Sequence, residues 1–89
     1  MYTTGRALLR KLIDTSGPTS RTVFELCEAM NRLGFDPPAE AGYRVARGNS
    51  FGYAQGLTYE VMVAWYSGQV SESDLAYWVR VLIRAGRKH

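Results

Sequence analysis

Few side chains of this chain are placed to do covalent chemistry. The one histidine, His89, is the last residue and is expected to fray, so it supplies neither a general base nor a metal ligand. Cys27, the one cysteine, falls on an apolar helical face, where a reduced and buried thiol is the ordinary reading and an intrachain disulfide is excluded. Asp14, Glu25, Glu28, Asp36 and Glu40 are spaced as helix caps and surface charges. Gly48-x-x-x-Gly52-x-x-x-Gly56 follows no predicted strand and contains no phosphate-binding lysine, so it is neither a P-loop nor a dinucleotide fingerprint. No enzyme, metal or cofactor is predicted, and the chemistry left to the chain is binding.

Two sets of residues could bind a macromolecule. Arg44, Arg47, Arg80 and Arg84 are candidate phosphate contacts, and Arg80, Arg84 and Lys88 form a stripe at spacing four. The second set lies in Gly56-Leu57-Thr58-Tyr59-Glu60-Val61-Met62-Val63-Ala64-Trp65-Tyr66-Ser67-Gly68. A glycine opens this segment, a Trp follows nine residues later and a second glycine three after that. Leu57, Val61 and Trp65 recur every four residues, which favours a helix even though Thr, Tyr, Val and Trp also suit a strand.

From Gly48 to Gln69 the pattern resembles the helix-turn-helix of Cro/CI-type (Xre-like) repressors of phages and bacteria. Gly52 matches the small residue of the motif's first helix, Gly56 the turn glycine, Leu57 the apolar residue after it, and Met62 and Trp65 the inward positions of a recognition helix. Val70 to Ile83 matches the packing helix that follows, and the match departs at Gln55, where the family carries an apolar residue. The resemblance implies a recognition helix that begins at Thr58, with Thr58, Tyr59, Glu60, Val63, Tyr66 and Ser67 toward the bases of a major groove. A second placement takes Arg21 to Leu33 as the first helix, Gly34 as the turn and Pro38 to Arg47 as the reader.

The elements that must position these residues follow from period and punctuation. Thr4 caps a first helix whose Leu8, Leu9, Leu12 and Ile13 share a face, and Gly17-Pro18 stops it. Ser20 or Thr22 caps the second, with Thr22-x-x-Glu25 as a capping box, Val23, Leu26, Cys27, Met30 and Leu33 inward, and Gly34 closing it. Asp36-Pro37-Pro38 opens a short helix through Arg47, with prolines where a missing N–H costs least. Ser71-x-x-Asp74 boxes the last helix, whose Leu75, Trp78, Val79, Leu82 and Ile83 face inward up to Gly86. The expected fold is all-α, a small four- to five-helix bundle containing a helix-turn-helix, with residues 1–35 as an N-terminal helix pair and 36–89 as the helix-turn-helix-like half.

Composition bounds the function class. At 89 residues, 46% hydrophobic and 21% charged, the chain is expected to be one globular domain with a modest core. No apolar run reaches the ~18 residues of a membrane span and no signal-peptide core is visible, so a cytoplasmic setting is expected. Net charge +3 and a pI near 9.3 are compatible with nucleic acid. However, the stretch from Gly48 to Val79 holds no Lys or Arg, whereas Arg to guanine is the commonest specific base contact. Tyr53, Tyr59, Tyr66 and Tyr77, with Trp65 and Trp78, are too many rings for so small a core to hide, and aromatics dominate protein interface hot spots. The expectation is a sequence-specific DNA-binding transcription regulator of phage or plasmid type, repressor-like, acting as a homodimer on an operator duplex. The alternative is a protein-binding inhibitor or anti-activator built on the same bundle and directed at a host protein.

Overall fold

The computed structural model describes residues 4–43 and 54–86, and within them every regular element is helical. Helix α1 (Gly5–Ser16) begins where Thr4 Oγ1 accepts from the Ala7 N–H at 3.0 Å, satisfying one of the orphan donors of a first turn. It ends at Gly17, whose φ of 88° lies in the region that suits glycine and whose N–H bonds Ile13 C=O at 2.7 Å.

Helix α2 (Ser20–Arg32) corrects the expected cap. The N-cap is Thr19, and the box is Thr19 with Thr22: each backbone N–H donates to the other's hydroxyl at 3.3 Å. Thr22 is thereby an interior residue, buried, with its hydroxyl donating to Gly17 C=O. Two threonines three apart satisfy the box without a Glu, which leaves Glu25 to pair with Arg21 at 3.4 Å. Val23, Leu26, Cys27, Ala29 and Met30 face the core, and Phe35 N–H closes the helix on Met30 C=O at 2.8 Å just past Gly34.

The expected helix from Asp36 does not form. Pro38 is extended (φ −53°, ψ 135°), a single 3-10 turn covers Ala39–Ala41, and Gly42 at φ 69° leaves it. A proline following Pro37 disfavours helical backbone there, so Asp36-Pro37-Pro38 reads as extended chain. The reader helix of the second helix-turn-helix placement is broken by the same turn, and Arg44 and Arg47 lie outside the described residues. Tyr43 then folds back on α2, edge-on to Phe24 with ring centroids 5.2 Å apart.

Helix α3 (Leu57–Tyr66) and helix α4 (Glu72–Gly86) form as the periodicity predicts. Gly68 at φ 74° ends the first, and the Ser71–Asp74 box starts the second, with reciprocal bonds of 3.0 and 3.2 Å. Glu72 and Asp74 place negative charge at the N-terminal end of α4 and Arg84 a cation in its last turn, both favourable to the helix dipole.

The four helices enclose one apolar core. Helix α2 packs on α3 and α4, while α1 packs on α4 and α3. Leu9, Leu26, Met30, Val61, Met62, Leu75 and Val79 are the largest of its fully buried apolar side chains. A Cβ on Gly5 would overlap Asp74 Oδ2 and lie 2.6 Å from Gln69 C=O and 2.9 Å from Val70 Cα, so glycine permits the α1 start to sit against the α3–α4 turn.

Candidate functional site

Helix α3 is apolar on nearly every side, so its burial cannot be inferred from one stripe. Leu57, Thr58, Val61, Met62 and Ala64 turn inward, and Trp65 is half-buried with its ring edge-on to Phe35 at 4.8 Å. Thr58, expected on the reading face, is a correction. It is 1% exposed, and its hydroxyl donates to Glu25 C=O at 3.2 Å, pinning the first turn of α3 to α2. A threonine can satisfy a buried acceptor with its hydroxyl while its methyl packs, and here that acceptor comes from another helix.

Four of the expected residues share the outer side. Tyr59 (43%), Val63 (40%) and Tyr66 (67%) are exposed and fall at spacings of four and three, one helical face, with Glu60 exposed beside them. Ser67 is exposed, but its hydroxyl donates to Val63 C=O at 2.7 Å and accepts from Gln69 Nε2 at 3.2 Å, so its hydrogen-bonding capacity serves the helix end. The face is thus two phenol rings, an isopropyl group and one carboxylate.

The arginines of α4 belong to different surfaces. Arg80 and Arg84 are exposed, and among the described residues neither makes an ion pair. They line a shallow depression with Arg6, Ser73 and Tyr77, and a smaller one with Ile83 and Glu40; no α3 residue borders either. Arg6 lies 4.2 Å from the centre of the Tyr77 ring and 3.4 Å from Asp74, while its backbone C=O accepts from Trp78 Nε1 at 3.1 Å. These contacts fix α1 across α4; Trp78 is half-buried by them, while Tyr77 stays 41% exposed beside Arg6. Tyr53 and Lys88, also singled out in the sequence, lie outside the described residues.

Sequence reasoning missed a cleft. It is about 540 Å³ and runs between the end of α1, through Leu12, Thr15 and Ser16, and the start of α3, through Leu57, Tyr59 and Glu60. No local motif announces it, because its two walls are some forty residues apart in the chain. Tyr59 belongs both to this cleft and to the outer face of α3.

Burial pushes the Cys27 thiol up to about 11 and leaves it a neutral, space-filling group. Among the described residues no three His, Cys, Asp or Glu side chains gather where they could hold a metal ion, and no described helix is long and apolar enough to cross a membrane. Comparison with protein-family models, curated proteins and solved structures finds no match to this chain.

Proposed function

We propose that the chain is a protein-binding module, of the inhibitor or anti-activator kind, that grips another protein through the outer face of α3. The composition of that face carries the reading: Tyr59, Val63 and Tyr66 exposed in one row, Glu60 as its charge, and no Lys or Arg anywhere from Gly48 to Val79. Duplex affinity rests on cations that displace phosphate counterions, which this face lacks. Tyrosines instead supply large, stiff contact area with a polar tip, the chemistry of interface anchors.

The test is capture by the full chain from its native host, followed by direct binding of the purified partner. Wild type should bind a stoichiometric protein, and Tyr59→Ala with Tyr66→Ala should weaken it about tenfold or more. Recovery of a specific duplex, bound with a log affinity that falls with log salt and no protein partner, would overturn the reading.

A DNA-binding regulator acting as a homodimer is the second reading. It is supported by the positive-φ Gly56 ahead of a short helix, by Met62 buried beneath that helix and by Gly68 at its end, the features of the second half of a helix-turn-helix. In that reading Tyr59, Glu60, Val63 and Tyr66 meet bases, Arg80 and Arg84 meet phosphates, and Glu60→Arg changes operator choice. Neither reading involves catalysis, a cofactor or a membrane, and both suit a cytoplasmic setting in which the Cys27 thiol stays reduced.

A further inference from the structure

The outer face of α3 continues into the cleft against the end of α1, and the two differ in chemistry. Leu12, Ala54 and Leu57 give the cleft an apolar floor, Thr15, Ser16 and Gln55 give it polar edges, and Glu60 is its one charged group. Its size falls within the ~300–1,000 Å³ typical of pockets that seat a ligand group.

Glu60 sets the sign of the charge in this cleft. Glu60 is exposed and makes no ion pair among the described residues. Ser16 and Thr15 stand at the C-terminal end of α1, where the helix dipole is negative, and no Lys or Arg lies in that last turn to offset it. Behind Gly56 the Glu25 carboxylate, 3.6 Å from where a Cβ on that glycine would be, is paired with Arg21 and adds no net charge. The start of α3, which has no side-chain cap, offsets the end of α1, so Glu60 carries the charge of the cleft. An apolar floor under a negative rim is complementary to a long side chain with a methylene stem and a cationic head.

Building on the protein-binding reading, we infer that the partner places an arginine or lysine, flanked by an apolar residue, in the α1–α3 cleft. The stem lies over Leu12 and Leu57, and the head meets Glu60 and the end of α1. The apolar neighbour lies against Tyr59 and the outer row of α3. Tyr59 stands where the two parts of the footprint meet.

Selection of random displayed dodecapeptides on the immobilised full chain tests this, with the winning peptides then measured against variants. The enriched peptides should share an Arg or Lys beside an apolar residue. Their affinity should fall about tenfold or more on Glu60→Arg and less on Glu60→Gln, and replacing the peptide arginine by citrulline should reproduce the loss. Amide shifts in a titration of the wild type should centre on Thr15, Ser16, Gly56 and Glu60, and circular dichroism confirms that each variant is folded.

The alternatives separate cleanly. Peptides without a cation, or peptides that lose affinity with Tyr66→Ala and keep it with Glu60→Arg, overturn the cleft assignment and leave the protein-binding reading standing. Self-association of the chain that excludes every peptide makes a second copy the occupant and also overturns it. Salt-dependent duplex binding with no peptide enriched overturns the parent reading as well.

Discussion

Replacing Thr58 asks whether the first turn of α3 is part of the fold or part of a reading surface. The side chain is 1% exposed and its hydroxyl donates to Glu25 C=O at 3.2 Å. Thr58→Val keeps the shape and removes that bond, which costs about 1 kcal/mol in a buried setting. Thr58→Ala also removes a buried methyl, about 0.8 kcal/mol of transfer plus a cavity contribution, so its total is about 2 kcal/mol. In a domain of this size each kcal/mol moves the midpoint by about 4–8 °C, so Val should melt about 5 °C and Ala about 10 °C or more below wild type. Thermal and urea unfolding followed by circular dichroism measure both. Ligand binding by the folded fraction should be unchanged in Thr58→Val. A variant that melts with wild type and yet loses its ligand would place Thr58 on the outer face and refute the packing described above.

The outer row behaves in the opposite sense: Tyr66→Ala, at a side chain 67% exposed, should change stability by less than about 0.5 kcal/mol while cutting partner affinity about tenfold or more, read by unfolding and by direct titration. Gly5→Ala, which gains about 1 kcal/mol of helix propensity in isolation, should instead destabilise by about 1–3 kcal/mol, because the added carbon meets Gln69 C=O and Val70 Cα; a stabilised variant in a melt would show that the α3–α4 turn yields. Burial raises the Cys27 pKa to about 11, so the folded state disfavours the thiolate that the unfolded chain forms above its ordinary value of 9.0. Stability from this group is complete below about pH 9 and is lost as pH rises to about 11, and the alkaline fall in urea midpoint should be shallower in Cys27→Ala than in wild type.

What the sequence made legible was local. The Ser71–Asp74 box, the Thr4 cap, the glycine stops at Gly17, Gly34 and Gly68, and the inward set of α4 depend on residues within a turn of one another, and they stand in the fold as expected. The α2 cap shows the limit of such reasoning, since Thr19, Ser20 and Thr22 are all competent caps and only the course of the chain through Gly17 selects Thr19. The α3 residues exceed that limit altogether. In an amphipathic helix the polar side chains mark the outer face, but α3 has apolar side chains all round, and the Thr that looks outward by type is held inward by a carbonyl 33 residues earlier. The cleft was illegible for the same reason, being made by two helix ends that meet only in the folded chain.

The same lack of amphipathicity bears on function. A short helix with one buried face keeps polar residues on the other unless something else covers it, because exposed apolar and aromatic area has a free-energy cost in water. Helix α3 spends Leu57, Val61 and Met62 on the core and still shows Tyr59, Val63 and Tyr66 to solvent in one row, whereas α4, equally committed to the core, shows Arg80 and Arg84 and a single ring, Tyr77, 41% exposed and covered on one side by Arg6. The contrast between two helices of one small bundle separates a surface adapted to solvent from one adapted to contact. Placing Lys at 63 and 66 makes the point testable. Such a variant should fold as well as wild type and stay monomeric at higher concentration, and it should lose the partner. If it bound its partner unchanged, the outer face of α3 would have no part in recognition, and the search would move to the arginine surface of α4.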